Sequence, residues 1–284
     1  MSDDEFILSQ SKIAIVGLGL MGGSLALALK GKCAALFGID SNQATLDMAR
    51  RQSIVDQVDS DPAHLLPKAD VVILSAPVPA ILTLIGQLPS LTSNRCVVMD
   101  LASTKKLITD AMSRLPEQFE PVGGHPICGK EKLSLANAER TLYYSAPFLL
   151  TPTERTTPRA LSAAHQIIEA IGAKEIILDA KEHDRILAST SHLPFLLSSA
   201  LTLATPHDVA PFIGPGFNSA SRLAGTPSSM MLGVLESNRE NVVNAIHQFQ
   251  KCLAEIEVLI ASGEFASLDL VLNESQSKHQ TFAQ

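Results

Sequence analysis

The chain has 284 residues, of which 46% are hydrophobic and 18% are charged, and its formal net charge is −7. This composition excludes an intrinsically disordered protein and leaves enough apolar material for one large core or two smaller ones. The sequence is acidic overall and contains no cluster of basic residues, so it lacks the positively charged segment typical of a nucleic-acid-binding protein.

The cysteines and the N-terminal residues indicate the cellular compartment in which the protein is expected. The four cysteines, Cys33, Cys96, Cys128 and Cys252, are scattered, with neither a CxxC pair nor zinc-ligand spacing. The stretch MSDDEFILSQSK (1–12) lacks the basic and apolar regions of a signal peptide, and no segment reads as a membrane span. We expect a soluble cytoplasmic protein that binds no metal, membrane or nucleic acid.

The first half of the chain alternates short β-branched runs with helix-like segments, a pattern typical of a parallel sheet covered on both faces. Apolar runs predict strands at 13–16, 35–39, 71–74, 96–99, 119–122 and 148–151. A stretch rich in proline and threonine, PTERTTPRAL, begins at residue 152. We therefore predict an α/β fold, with a doubly wound Rossmann dinucleotide-binding domain over 1–152. An all-helical C-terminal domain is predicted over 153–284, apart from one short strand at 175–178.

The first predicted strand leads directly into GLGLMG, which has the GxGxxG spacing and opens a helix. Gly17 is expected to make the tight turn, Gly19 to let the backbone approach a pyrophosphate, and Gly22 to let helix and strand pack closely. The amides and partial positive charge of the helix N-terminus suit phosphate groups. The predicted cofactor-binding residues of this motif are Gly17, Leu18, Gly19, Leu20, Met21 and Gly22.

Asp40 ends the second predicted strand, roughly 20 residues beyond the motif. A carboxylate at this place accepts hydrogen bonds from the adenosine ribose and repels a 2′-phosphate, so we predict NAD rather than NADP. Ser75, Ala76 and Pro77 follow the strand at 71–74 and are expected to line the same site, since ligands of such sheets bind at the carboxyl ends of the strands.

Two further strand ends carry candidate catalytic groups. DLASTKK follows the strand at 96–99 and holds Ser103, whereas GGHPICGKE follows the strand at 119–122 and holds His125. Nicotinamide chemistry needs a base for the proton that accompanies the hydride. From the residues alone, His125 is either that base or a histidine satisfied by backbone groups in a tight turn.

Six motifs occur in order along nearly the whole chain. They are VGLGLMGGSLA at 16–26, DLASTK at 100–105, GGHPICGKE at 123–131, LTPTE at 150–154, HDRILASTSHLP at 183–194 and GFNSASRLA at 216–224. In this order they resemble the prephenate and arogenate dehydrogenases of tyrosine biosynthesis. The resemblance implies that NAD oxidises the hydroxyl-bearing ring carbon of a cyclohexadienol, prephenate or arogenate, and that loss of CO2 then yields a phenol.

The same resemblance assigns roles to single residues. His125 matches the catalytic histidine that takes the ring hydroxyl proton, and Ser103 matches the serine that helps to hold that hydroxyl. Arg222 matches an arginine that binds a substrate carboxylate, a role suited to a planar, charged fork. His192 matches the first histidine of an SHLP motif near the active site, and Pro194 is expected to break or kink the helix just past it.

Three other positions keep alternatives open. Glu131 matches an acidic residue near the pocket mouth, although a solvated surface charge explains it almost as well. Asp184 either orients neighbouring groups or lies on a helix surface. Phe195 stands where some members carry a second histidine, which leaves the choice between prephenate and arogenate undecided.

The longest late segment carries apolar residues at spacings of four and three, which predicts a continuous seam on one helix face. The seam comprises Val242, Ile246, Phe249, Leu253, Ile256 and Ile260. It is either a core helix or a subunit interface, and the resemblance, whose members dimerise through this domain, favours a homodimer. Two other functions remain: a β-hydroxyacid dehydrogenase that keeps the carboxylate, and an NAD-sensing protein without turnover.

Overall fold

The computed structural model describes residues 5–130 and 132–282. The chain divides into two compact units, Met1–Asn238 and Arg239–Gln284. The first unit contains an eight-stranded sheet with the order β3-β2-β1-β4-β5-β6-β7-β8. Its strands are β1 (Lys12–Val16), β2 (Ala35–Ile39), β3 (Gln57–Asp59), β4 (Val71–Leu74), β5 (Cys96–Asp100), β6 (Phe119–Pro126), β7 (Pro147–Thr151) and β8 (Lys174–Ile177).

The helices of the first unit cover the sheet and continue beyond it. They are α1 (Leu20–Leu29), α2 (Gln43–Arg51), α3 (Pro62–Leu65), α4 (Val78–Leu91), α5 (Lys106–Met112), α6 (Pro158–Ala170), α7 (Ala180–Leu187), α8 (Leu193–Ala204), α9 (Pro215–Ser221) and α10 (Ser228–Ser237). A π-helical turn, Ala188–His192, joins α7 to α8. Short 3-10 turns occur at Leu8–Gln10, Leu66–Lys68, Leu135–Asn137, His207–Phe212 and Arg222–Gly225. The second unit consists of α11 (Arg239–Ser262) and α12 (Phe265–Phe282).

Strands β1 to β6 run parallel, β7 is antiparallel to β6, and β8 is parallel to β7. Alternate residues of β1 enter different apolar clusters: Ile13 and Ile15 join one, whereas Ala14 and Val16 join the other. This period of two follows from the pleat of a strand whose two faces are both covered. The predicted doubly wound α/β fold is confirmed, and the carboxyl ends of its parallel strands lie along one edge.

The sheet is larger than the sequence suggested. Strand β3 was not expected, because a three-residue segment, Gln-Val-Asp, shows no apolar run. Helix α6 packs into the core of the sheet, and β8 pairs with β7 beyond it. Residue 152, where the sequence placed the domain boundary, therefore falls inside the sheet unit.

One helical run reaches a length that the sequence analysis did not anticipate. Ala180–Ala204 spans 25 residues and is apolar enough to cross a membrane by length and composition. It is interrupted by the π-helical turn, and its buried polar side chains include His183, Asp184 and His192. Asp184 and His183 bond to Lys105 and His125 at the sheet, and His192 contacts Asn238 at the end of α10, so the run is held within the first unit.

The predicted seam from Val242 to Ile260 lies on the single helix α11. Helices α11 and α12 contact each other and still expose large apolar side chains, including Leu253, Ile260, Phe265 and Leu270.

Candidate active site

The turn between β1 and α1 has no room for side chains at two of its glycines. Gly17 has a φ of +95°, and a Cβ atom built on it would lie 2.1 Å from the Ser75 carbonyl oxygen. A Cβ on Gly22 would lie 1.9 Å from the Gly17 carbonyl oxygen. Both distances are far inside van der Waals contact. The backbone path of this turn therefore requires glycine at both positions.

Asp40, directly after β2, anchors the same turn. Its Oδ2 accepts the Leu18 N–H at 2.8 Å, and its Oδ1 accepts the Asn42 N–H at 2.8 Å. A carboxylate oxygen can accept more than one hydrogen bond, so both oxygens retain acceptor capacity for a ligand hydroxyl. The side chain is half-buried.

A cleft of about 240 Å³ opens beside the glycine turn. Seven of the predicted site residues line it: Gly19, Leu20, Met21, Ser75, Ala76, Pro77 and Ser103. Gly17, Leu18 and Gly22 shape the turn instead, and Leu18 is fully buried. One of the first amides of α1 is engaged, because the Leu20 N–H donates to the Leu133 carbonyl oxygen at 2.7 Å.

Sequence reasoning missed the part of the cleft that comes from α10. Met230 and Val234 line the cleft, although the sequence assigned this helix to a separate domain. The close approach depends on Gly233, since a Cβ there would lie 2.7 Å from Cδ of Pro79 on α4. A glycine inside a helical pattern is the signal that indicates such close packing.

The segment after β5 is fixed by a buried ion pair. Lys105 Nζ donates to the Asp100 carboxylate, and both side chains are fully buried. Lys105 Nζ also donates to the Gly124 carbonyl oxygen at 2.6 Å, while the Gly124 N–H donates to Asp100 Oδ1 at 3.3 Å. Burial lowers the pKa of Lys105, and the Asp100 carboxylate opposes that change. The pair thus ties the segment that carries Ser103 to the strand that carries His125.

His125 lies near the end of β6 and is 9% exposed. Its Nδ1 lies 2.8 Å from Nε2 of His183. Burial holds the pKa of His125 well below 6.5, and the neighbouring His183, Lys105 and His192 lower it further. The imidazole is therefore neutral near pH 7, as a general base must be.

His183 and Asp184, at the middle of α7, complete a chain of buried groups. His183 Nδ1 lies 2.8 Å from Asp184 Oδ1. Asp184 also accepts the N–H of Lys105 at 2.7 Å and the N–H of Lys106 at 2.9 Å. No role for His183 was predicted from the sequence. The helix surface, one of the two positions considered for Asp184, is wrong, because Asp184 is only 2% exposed.

His192 ends the π-helical turn just before Pro194, where the sequence predicted a break or kink. The Asn238 amide nitrogen donates to the Asp184 backbone oxygen at 2.6 Å and lies 3.2 Å from His192 Nδ1. His192 Nδ1 is therefore an acceptor, and the ring proton is on Nε2, which has no partner among the described residues. Burial lowers the pKa of His192 to about 4.

The remaining predicted residues lie in less enclosed places or outside the described residues. Arg222 is exposed on the turn Arg222–Gly225, which packs against α8. Phe195, on α8, packs against one of the two apolar clusters of the sheet. Glu131 lies outside the described residues. Across 5–130 and 132–282, no group of three or more histidine, cysteine, aspartate or glutamate side chains is arranged to hold a metal ion.

Known protein families and solved structures resemble this chain over most of its length. Family models match residues 25–177, described as the nucleotide-binding domain of prephenate dehydrogenase, and residues 179–274, described as its dimerization domain. A prephenate dehydrogenase of Lactococcus lactis is 30% identical over 280 residues, or 95% of this chain and 77% of the relative. The structure of an A. aeolicus prephenate dehydrogenase, in complex with hydroxyphenyl propionate and NAD+, has a TM-score of 0.89 and 30% identity, covering 97% of this chain and 99% of that one. A Synechocystis arogenate dehydrogenase has a TM-score of 0.82 and 29% identity, covering 95% of this chain and 99% of that one.

Proposed function

Because this chain belongs to the prephenate dehydrogenase family, we propose that it catalyses the NAD-dependent oxidative decarboxylation of prephenate or arogenate in tyrosine biosynthesis. The observation that carries the proposal is the buried, neutral imidazole of His125 at the carboxyl edge of the sheet. Because this imidazole is already neutral, it can accept a hydroxyl proton at neutral pH without first releasing a proton of its own.

The cleft beside the glycine turn fits NAD. The turn at Gly17 and Gly22 brings the backbone to the start of α1, and Asp40 offers acceptors where the adenosine ribose of such cofactors binds. Its negative charge disfavours the 2′-phosphate of NADP. When bound, NAD supplies the acceptor for the hydride.

The protein side chains then have to transfer the hydroxyl proton and bind the substrate while its ring carboxylate leaves as CO2. As the hydride leaves the ring carbon, His125 takes the hydroxyl proton, and the carbon becomes a ketone. Loss of CO2 returns its bonding electron pair to the ring, which becomes aromatic, and His125 gives the proton back to the resulting phenolate oxygen. The balance is one hydride transferred and one CO2 released, with no net proton consumed.

We assign the other residues by the same argument. Ser103 lines the cleft and would hold the reacting hydroxyl beside His125. The buried Nε2–H of His192 has no partner within 5–130 and 132–282, which suits an oxygen atom of the substrate. Arg222 would bind a substrate carboxylate, and Glu131 remains a candidate at the pocket mouth.

We also propose that the protein is a cytoplasmic homodimer. The family model over 179–274 is named for dimerization, and the apolar side chains exposed on α11 and α12 suit a subunit interface. The two family models meet at residue 178, so we place the boundary between the cofactor-binding and substrate-binding parts there rather than at 152.

The decisive experiment measures NADH formation and CO2 release with prephenate and with arogenate, each with NAD and with NADP. We expect stoichiometric CO2 and NADH with at least one substrate and a clear preference for NAD. NADH without CO2 would point instead to a β-hydroxyacid dehydrogenase. NAD binding without turnover of either compound would point to a sensor.

The His125→Asn variant tests the role of the base. We expect kcat to fall by at least about 100-fold, the low end of general-base contributions, while the NAD dissociation constant is unchanged. The matched control is His165→Asn, since His165 is a half-exposed histidine paired with Glu175. A loss of less than threefold in His125→Asn would mean that another group is the base.

A further inference from the structure

We infer that His183 and Asp184 are positioning residues that hold His125 in one tautomer, with the proton on Nδ1 and a free lone pair on Nε2. Nothing in the sequence pattern assigned a role to His183. The three side chains form a hydrogen-bonded chain from α7 to the end of β6. The catalytic consequence of this chain rests on the proposed function, whereas the tautomer itself does not.

The contacts of Asp184 determine which group donates in each of these hydrogen bonds. The N–H groups of Lys105 and Lys106 donate to its two oxygens at 2.7 and 2.9 Å. These amides belong to the N-terminus of α5, whose partial positive charge favours a carboxylate. An ionised carboxylate has acceptors only, so His183 Nδ1 has to carry the proton in their hydrogen bond.

The position of the proton on His183 then determines its position on His125. A neutral His183 with a proton on Nδ1 has only a lone pair on Nε2, so it accepts. His125 Nδ1, at 2.8 Å from that lone pair, must be the donor. A neutral His125 with its proton on Nδ1 leaves Nε2 as the free base. The two rings lie with their centroids 5.0 Å apart.

Both rings must be neutral for this argument to hold. The charged and titratable groups that face them are Asp184 and Asp100, Lys105, and His192. Burial is the largest influence on both histidines and lowers the pKa of each. Lys105 lowers both further, whereas Asp184 opposes the change at His183 only in part.

The tautomer matters because the opposite one would present an N–H donor to the substrate hydroxyl and could not take its proton. The hydrogen bonds from His125 to His183 and from His183 to Asp184 also stabilise the product of proton transfer. Once His125 becomes an imidazolium, its Nδ1–H continues to donate to His183, whose far nitrogen is held by the Asp184 carboxylate. His183 and Asp184 therefore act on the reaction only through His125.

The first test needs no substrate. The tautomer of His125 is read from the 15N chemical shifts of its two ring nitrogens in the histidine-labelled enzyme, with the His125→Asn spectrum used for assignment. We expect a protonated Nδ1 and an unprotonated Nε2. A protonated Nε2 in the wild-type enzyme would overturn the inference, whether or not either proposed substrate is turned over.

The second test compares three variants. Asp184→Asn can donate its amide N–H to His183 Nδ1 and so reverse both tautomers; we expect the 15N pattern of His125 to invert and kcat to fall by at least about 100-fold, with KM changed less than threefold. His183→Gln keeps a carbonyl acceptor for His125 Nδ1, whereas His183→Leu does not. We expect Gln to retain roughly tenfold more kcat than Leu, the value of one hydrogen bond of about 1.4 kcal/mol.

Equal activities of His183→Gln and His183→Leu, at equal stability, would show that His183 is structural only. If Asp184→Asn does not fold, the wild-type spectrum and the His183 pair still decide the question. The control His165→Gln, at a half-exposed histidine, should leave kcat and the 15N pattern of His125 unchanged.

Discussion

Replacing Lys105 with methionine should be among the most destabilising single changes in the sheet unit. Methionine is close to lysine in length, so the change removes the charge while leaving most of the packing. The Asp100 carboxylate, fully buried, would lose its only counter-ion among the described residues, and the Gly124 carbonyl oxygen would lose the donor at 2.6 Å. Breaking a buried pair from one side costs about 3–5 kcal/mol, because the remaining charge stays buried.

Urea unfolding followed by circular dichroism measures this cost, at fixed protein concentration because the chain is proposed to dimerise. The matched control is Lys106→Met, whose pair with Asp110 is more than one-third exposed on both sides and should contribute less than about 1 kcal/mol. The double variant Asp100→Asn, Lys105→Met removes the buried charge and should recover part of the loss. A cost below about 1 kcal/mol for Lys105→Met, or no recovery in the double variant, would refute the argument.

Three further predictions follow from the same geometry. Gly17→Ala should lower the free energy of unfolding by more than about 2 kcal/mol in urea titrations and weaken NAD binding. The reason is that its Cβ would lie 2.1 Å from a carbonyl oxygen, at a φ of +95°. The control Gly86→Ala, with open space on α4, should raise the free energy of unfolding by up to about 1 kcal/mol. Asp40→Asn should narrow the preference for NAD over NADP by at least about tenfold in calorimetric titrations, since the charge that repels the 2′-phosphate is gone; an unchanged ratio would remove Asp40 from this role. Because the folded pKa of His192 is about 4 against 6.5, the unfolded chain binds more protons between these values, so the free energy of unfolding should fall by about 3 kcal/mol from this residue as pH drops from 6.5 to 4. His192→Asn should flatten that slope in urea titrations at a series of pH values, and an unchanged slope would contradict the assignment.

The parts of this protein that sequence predicts well are those encoded by neighbouring residues. The path from β1 through Gly17 to α1 needs glycine wherever a Cβ would meet a carbonyl oxygen, and that requirement is written in the residue types. The end of the sheet is different. Strand β8 follows a complete helix, α6, and resembles a short strand of any second domain until its pairing with β7 is known.

The positioning chain behind His125 shows why the remainder of the site could not be predicted. His125 and His183 are 58 residues apart, and helical periodicity indicates only which face of α7 is buried, not which strand end it meets. A carboxylate is buried only where hydrogen-bond donors surround it. The donors that can be recognised in a sequence are arginine and lysine side chains. The donors to Asp184 are instead the backbone amides of Lys105 and Lys106. Every residue except proline has such an amide, so this interaction leaves no mark in the residue types, and only the placement of the start of α5 against α7 reveals it.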